Sequence, residues 1–202
     1  MAGWLRRYRS HPDPRLTAAN TVALVLGWNQ PFYPLYLWWI VGPSAWVGLP
    51  TIAAGVVFAL VPAVVRRNAR AGRVLLVATA IGNTVLCMKL LGEASGVGLF
   101  LFPCAMLATL LFRPAERVLM LGLTAAPLLV WLLLRPLLGA PPVVFPAAAQ
   151  ATLFTLNAAS AGAVMVFLAW MLVPAGSAAE GTQETVHRAG DGGIDLGIGG
   201  RR

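Results

Sequence analysis

The sequence predicts an all-α integral membrane protein, a bundle of six transmembrane helices with both termini in the cytoplasm. Three observations carry that reading. Of the 202 residues, 58% are apolar and 11% charged, with mean hydropathy +0.76, whereas a soluble domain has roughly a quarter of its residues charged. This composition excludes a water-soluble globular domain. Six apolar stretches recur along the chain, each near the roughly 20 residues that a span needs. The connections between them alternate between basic and nearly uncharged.

The stretches cover residues 16–41, 49–65, 74–91, 97–112, 118–134 and 143–173. The middle four reach full span length once flanking interfacial residues are added. The first and last are longer and contain proline, which predicts tilt or a kink. Residues 1–15 carry Arg6, Arg7, Arg9 and Arg15, with no small-residue cleavage site after the first apolar run. They read as a cytoplasmic segment ahead of a retained helix, not as a secretory signal.

Arg66, Arg67, Arg70 and Arg73 fill the second connection, and Arg113, Glu116 and Arg117 the fourth. The first connection has no charge, the third holds Glu93 with Lys89 just before it, and the fifth has only Arg135 beside it. Thirteen of the 15 Lys and Arg residues therefore fall on the side that holds both termini. The excess of positive charge places that side in the cytoplasm. Trp38, Trp39 and Trp46 bracket the first outer turn, with Trp4 and Tyr8 at the inner end, as amphipathic rings at headgroup depth would. The domain division is 1–15 N-terminal segment, 16–174 transmembrane domain and 175–202 Gly-rich, acidic cytoplasmic tail, the last predicted to be disordered. The net charge of +8 is topology control, not a nucleic-acid footprint. Arg far outnumbers Lys in a chain rich in Ala, Gly, Leu and Pro, which points to a GC-rich bacterial genome and so to a bacterial inner membrane. Arg73-Val74-Leu75-Leu76 is echoed by Arg117-Val118-Leu119-Met120, and Asn20-Thr21-Val22 by Asn83-Thr84-Val85. These echoes fit either three helical hairpins in series or chance matches in a Leu- and Val-rich chain.

Ionisable groups inside a bilayer are costly and mark candidate sites. Lys89, Glu93 and Arg135 lie nearest the apolar core, all toward outer helix ends. Lys89 and Glu93 are four residues apart, on one helical face. They form either an outward-facing ligand site anchored by Glu93, or a snorkelling Lys beside an acid that favours the start of the fourth helix. The amides Asn20, Asn29, Gln30, Asn83, Gln150 and Asn157 fall in helices one, three and six. They act either as interhelical glue or as the lining of a polar cavity. Asn29-Gln30-Pro31 stands out, because Pro31 removes a donor and frees a carbonyl near residue 27. The ligand-binding candidates are thus Glu93, Lys89, Asn83, Asn29 and Gln30. Cys87 and Cys104, at similar depths in helices three and four, either form a bridge or are two buried free thiols, the second being the expected case. No His lies in a span, and no nucleotide loop or catalytic set is evident, so neither metal, cofactor nor catalytic residue is expected. The small residues 158–163 of helix six permit close helix packing.

The stretch LLGEASGVGLFLFPCAMLATLLF, residues 90–112, followed by Arg113-Pro114-Ala115-Glu116-Arg117, resembles six-helix membrane input regions of bacterial signalling proteins. The shared features are a small-residue outer turn, a Phe- and Pro-bearing fourth helix and an Arg-rich inner turn. Such regions precede cyclases and histidine kinases. The resemblance implies a sensory origin and transfers no catalytic residue. The sequence given carries no output domain, so a signal is expected to pass to a separate protein partner. The leading expectation is a non-catalytic, sensor-like or partner-binding membrane module that meets the lipid bilayer and no nucleic acid. The alternative is a small transporter or channel-like component acting as an oligomer.

Overall fold

The computed structural model describes residues 2–191. Among them every regular element is helical. α1 is Ala2–Arg9, α2 Pro14–Asn29, α3 Phe32–Val41, α4 Ala53–Arg67, α5 Ala69–Leu91, α6 Leu101–Leu111, α7 Arg117–Leu129 and α8 Ala147–Asp191. Four helical stretches, Pro14–Arg67, Ala69–Leu91, Pro114–Leu137 and Ala147–Ala175, are long and apolar enough to cross a membrane, and Val97–Leu111 is a shorter apolar helix. The first of these reverses direction through a run of 3-10 turns at Gly42–Ile52, so α4 lies back along α2.

The local chemistry explains the boundaries. Asp13 accepts the Arg15 backbone N–H at 2.8 Å and caps α2, and Pro14 suits the first helical position. The expected break in the first span falls at Gln30–Pro31. The Gly27 carbonyl that Pro31 leaves without its usual donor is taken by the Gln30 N–H at 3.3 Å. Asn68 caps α5 by accepting the Ala71 N–H at 2.9 Å, and Gly92, at φ +76°, ends it. Beyond α7 the chain passes through one π turn, Val130–Leu134, and a 3-10 turn, Arg135–Leu137, between Pro127 and Pro141. α8 does not stop near residue 173. It continues past Pro174 to Asp191, seventeen residues into the segment expected to be disordered. Ala178, Ala179, Glu180, Gln183 and Glu184 are good helix formers, and a helix already nucleated adds residues at little further cost. The rest of that expectation, residues 192–202, lies outside the described residues.

α2 packs on α4, α4 on α5, α5 on α6, α6 on α8, and α8 back on α2. These five helices close a ring, and α7 lies outside it against α6. Accordingly α7 keeps Val118, Leu121, Leu128 and Leu129 exposed. The buried side chains form two clusters stacked along the bundle. One, at the basic end, includes Leu16, Val22, Val61, Leu76 and Leu111; the other includes Leu37, Val47, Met88, Leu91 and Leu153.

The basic connections gather at one end. Arg66 donates to the Arg7 and Tyr8 carbonyls at 2.8 and 2.9 Å, closing the C-terminus of α1. Arg113 pairs with Asp13 at 2.7 Å. Arg73 is 7% exposed and holds Glu116 through two bonds, at 2.6 and 2.9 Å, while also donating to the Leu111 carbonyl. Its echo, Arg117, is exposed at the start of α7, so the two repeated tetrapeptides sit in different environments.

Candidate functional site

Where the two apolar clusters meet, the middle of the ring is not filled. A cavity of about 110 Å³ lies there, lined by all five ring helices. Asn29 and Gln30 come from the end of α2, Phe58 from α4, Asn83, Thr84 and Cys87 from α5, Pro103 and Cys104 from α6, and Val164 and Leu168 from α8. Tyr33 of α3 and Phe100 complete the wall on the other side.

Close backbone approach sets its polar side. A Cβ on Gly27 would sit 3.0 Å from the Phe58 Cβ and 3.1 Å from the Gly55 carbonyl oxygen. α2 and α4 therefore touch through glycine, which holds Gln30 against α4 and aims its amide across the ring. The Asn83 Nδ2 donates to the Gln30 Oε1 at 3.3 Å, and the Gln30 Nε2 donates to the Leu26 carbonyl at 3.4 Å. The Asn83 Oδ1 is buried without a hydrogen-bond partner, an arrangement that costs about 1–3 kcal/mol. Thr84 donates to the Ala80 carbonyl at 2.9 Å and lies 3.9 Å from the Cys104 Sγ. Cys87 and Cys104 are both free and buried.

Three of the five ligand-binding candidates, Asn29, Gln30 and Asn83, thus share one cavity. The other two stand elsewhere. α5 ends at Leu91, so Glu93 lies in a separate 3-10 turn and not on the helical face of Lys89. Lys89 donates instead to the Leu138 and Ala140 carbonyls at 2.7 and 2.9 Å, tying the end of α5 to the loop before α8. Glu93 pairs with Arg135, whose guanidinium also stacks on Trp131 at 4.4 Å. Both partners are substantially exposed, and such pairs contribute little. Arg135 is therefore the partner of Glu93.

Two of the remaining amides, Asn20 and Asn157, are glue, and Gln150 lies outside the cavity lining. Asn20 donates to the Arg9 carbonyl at 3.0 Å and holds the N-terminal segment. Asn157, fully buried, donates to the Ser95 carbonyl at 2.8 Å and accepts from the Tyr33 hydroxyl at 3.2 Å. α8 therefore gives the cavity only apolar residues, and α6 takes its place as the source of Cys104. Sequence reasoning missed Tyr33, Thr84 and the Gly27–Gly55 contact. Tyr33 follows Gln30 by three residues and Thr84 adjoins Asn83, signals that helical spacing carries. Among the described residues no three of His, Cys, Asp and Glu come together to hold a metal ion.

At the basic end, Glu116 is the charged counterpart of this neutral site. The hydrogen bond from Arg73 holds its carboxyl down at about 2, against burial that pushes it up, and the Arg113 N–H and Arg70 add to the effect.

The helical bundle has apolar outer faces and, at its centre, a largely apolar cavity that carries the Gln30–Asn83 amide pair. The chain belongs to the MASE7 family, a family of membrane-associated sensor domains, whose model matches residues 6–185. A comparison with curated proteins finds no match.

Proposed function

We propose that this protein is a six-span, non-catalytic sensor module of a bacterial inner membrane, with both termini in the cytoplasm, and that its central cavity is the ligand site. The observation that carries the reading is the Gln30–Asn83 amide pair, which faces an unfilled cavity with one buried acceptor unused. Folded proteins leave few such groups unpaired, and a ligand is one way to satisfy them.

The route to the cytoplasm runs along α5 and α6. Asn83 and Arg73 are ten residues apart on α5, about 15 Å. Arg73 also grips the Leu111 carbonyl at the end of α6 and Glu116 in the turn that follows. A ligand that spreads α5 from α6 at Cys87 and Cys104 therefore pulls on the Arg73–Glu116 contact. The basic turns and α8 then present the change to a signalling partner.

The test is a thermal-shift ligand screen in lipid nanodiscs on wild type, Asn83→Ala and Glu93→Gln. A ligand of the cavity stabilises wild type and Glu93→Gln alike and loses its effect in Asn83→Ala. A ligand that depends on Glu93 and ignores Asn83 contradicts the assignment.

A further inference from the structure

We propose that the cavity takes a neutral, single-chain amphiphile from the bilayer, with its hydrogen-bonding head on the Gln30–Asn83 pair and its chain leaving past Asn29. The inference rests on the cavity being the ligand site.

Charge is the first argument. The lining contains no Lys, Arg, His, Asp or Glu. The charges nearest in the chain are already engaged, Lys89 by two carbonyls and Glu93 by Arg135 at one end, Arg73 by Glu116 at the other. An ionised head would give up its hydration and find no counter-ion.

Hydrogen bonding is the second. The Asn83 Oδ1 is a buried acceptor without a donor. One amide hydrogen of Asn83 is used on Gln30, and the second remains available. A hydroxyl satisfies both, giving its proton to the oxygen and accepting from the nitrogen. A primary amide does the same.

Size and position complete the case. A dry cavity of roughly 150 Å³ holds one benzene. At about 110 Å³ this one holds a compact head and the first few carbons. The rest of an amphiphile must lie outside. Asn29 is an exposed lining residue. It stands fourteen residues from Arg15 along α2, about 20 Å, and the ten-residue helix α3 separates it from the other end of the first apolar run. An opening at that depth meets hydrocarbon and neither water phase.

The experiment uses wild-type protein in nanodiscs at pH 8, photolabelled with a diazirine-bearing 1-octanol. Competitors of equal chain length are 1-octanol, octanoate and octylammonium. The label is expected in peptides covering residues 26–33, 80–87 and 100–107, and 1-octanol should compete about tenfold better than either ion. Asn83→Leu should reduce the labelling about tenfold, and Glu93→Gln should leave it unchanged. Gln30→Leu serves as the second variant should Asn83→Leu fail to fold. Equal competition by the ions overturns the neutral class while leaving the cavity as the site. Labelling spread over Val118, Leu121 and Val166 without competition, or labelling indifferent to both amide variants, overturns the site itself.

Discussion

Arg73 and Arg70 both contact Glu116, and their burial decides which contact matters. The Arg73 side chain is 8% exposed and bonds Glu116 twice, whereas Arg70 is 68% exposed and reaches it once at 3.3 Å. Arg73→Leu is therefore expected to destabilise the protein by about 3 kcal/mol, since it strips a shielded carboxylate of its main partner. Arg70→Leu should cost less than about 0.5 kcal/mol. Thermal melts of the two variants in detergent check the contrast. The same site sets a pH dependence. The carboxyl of Glu116 titrates at about 2 when folded and at 4.5 when unfolded. Its contribution is complete above 4.5 and is lost as the pH falls toward 2, because the unfolded chain binds the proton first. The loss is on the order of 2–3 kcal/mol, and Glu116→Gln should flatten that part of the profile. The sequence showed Arg73 and Glu116 as charges of two connections. That one of them would be buried, and that they would meet 43 residues apart, depended on how α5 packs against the turn after α6.

At the scale of the element, the helices were readable because hydropathy and proline are local properties. The break at Pro31, the end of α5 at Gly92 and the start of α8 after Pro146 all follow from residues at those positions. The length of α8 was not readable from composition, because a glycine-rich segment joined to a formed helix inherits its nucleus. The close contact of α2 with α4 was also hidden, since glycines in spans are common and only packing shows which ones touch. Gly27→Val is expected to destabilise the bundle by about 1–3 kcal/mol through overpacking against Phe58 and Gly55. Gly162, with nothing within 4 Å of an added Cβ, is the control. Gly162→Ala should be neutral or stabilising by up to about 1 kcal/mol. Equal losses in the two variants would remove the Gly27–Gly55 contact from the account.

At the scale of the whole molecule, the candidate site was half legible. Asn29, Gln30 and Asn83 stand out because amides are conspicuous in hydrocarbon, and a ring of helices brings them together. Lys89 and Glu93 stand out for the same reason, yet the end of α5 at Leu91 separates them. The orientation proposed above predicts cytoplasmic signals from reporter fusions after Arg70 and Arg117, and external signals near Ser44, Ser95 and Pro141. A cytoplasmic signal at Ser95 would break the six-span arrangement. The central claim, that a ligand enters the middle of the ring, is tested most directly by the two native cysteines. Cys87 and Cys104 line the cavity from α5 and α6 and need no engineering. Wild-type protein in nanodiscs is treated with a small membrane-permeant maleimide, with and without saturating ligand, and alkylation of each thiol is followed by mass spectrometry. The account predicts that a ligand stabilising the protein slows alkylation of both thiols together by about tenfold. Stabilisation with unchanged alkylation of both cysteines would contradict it and move the ligand out of the ring.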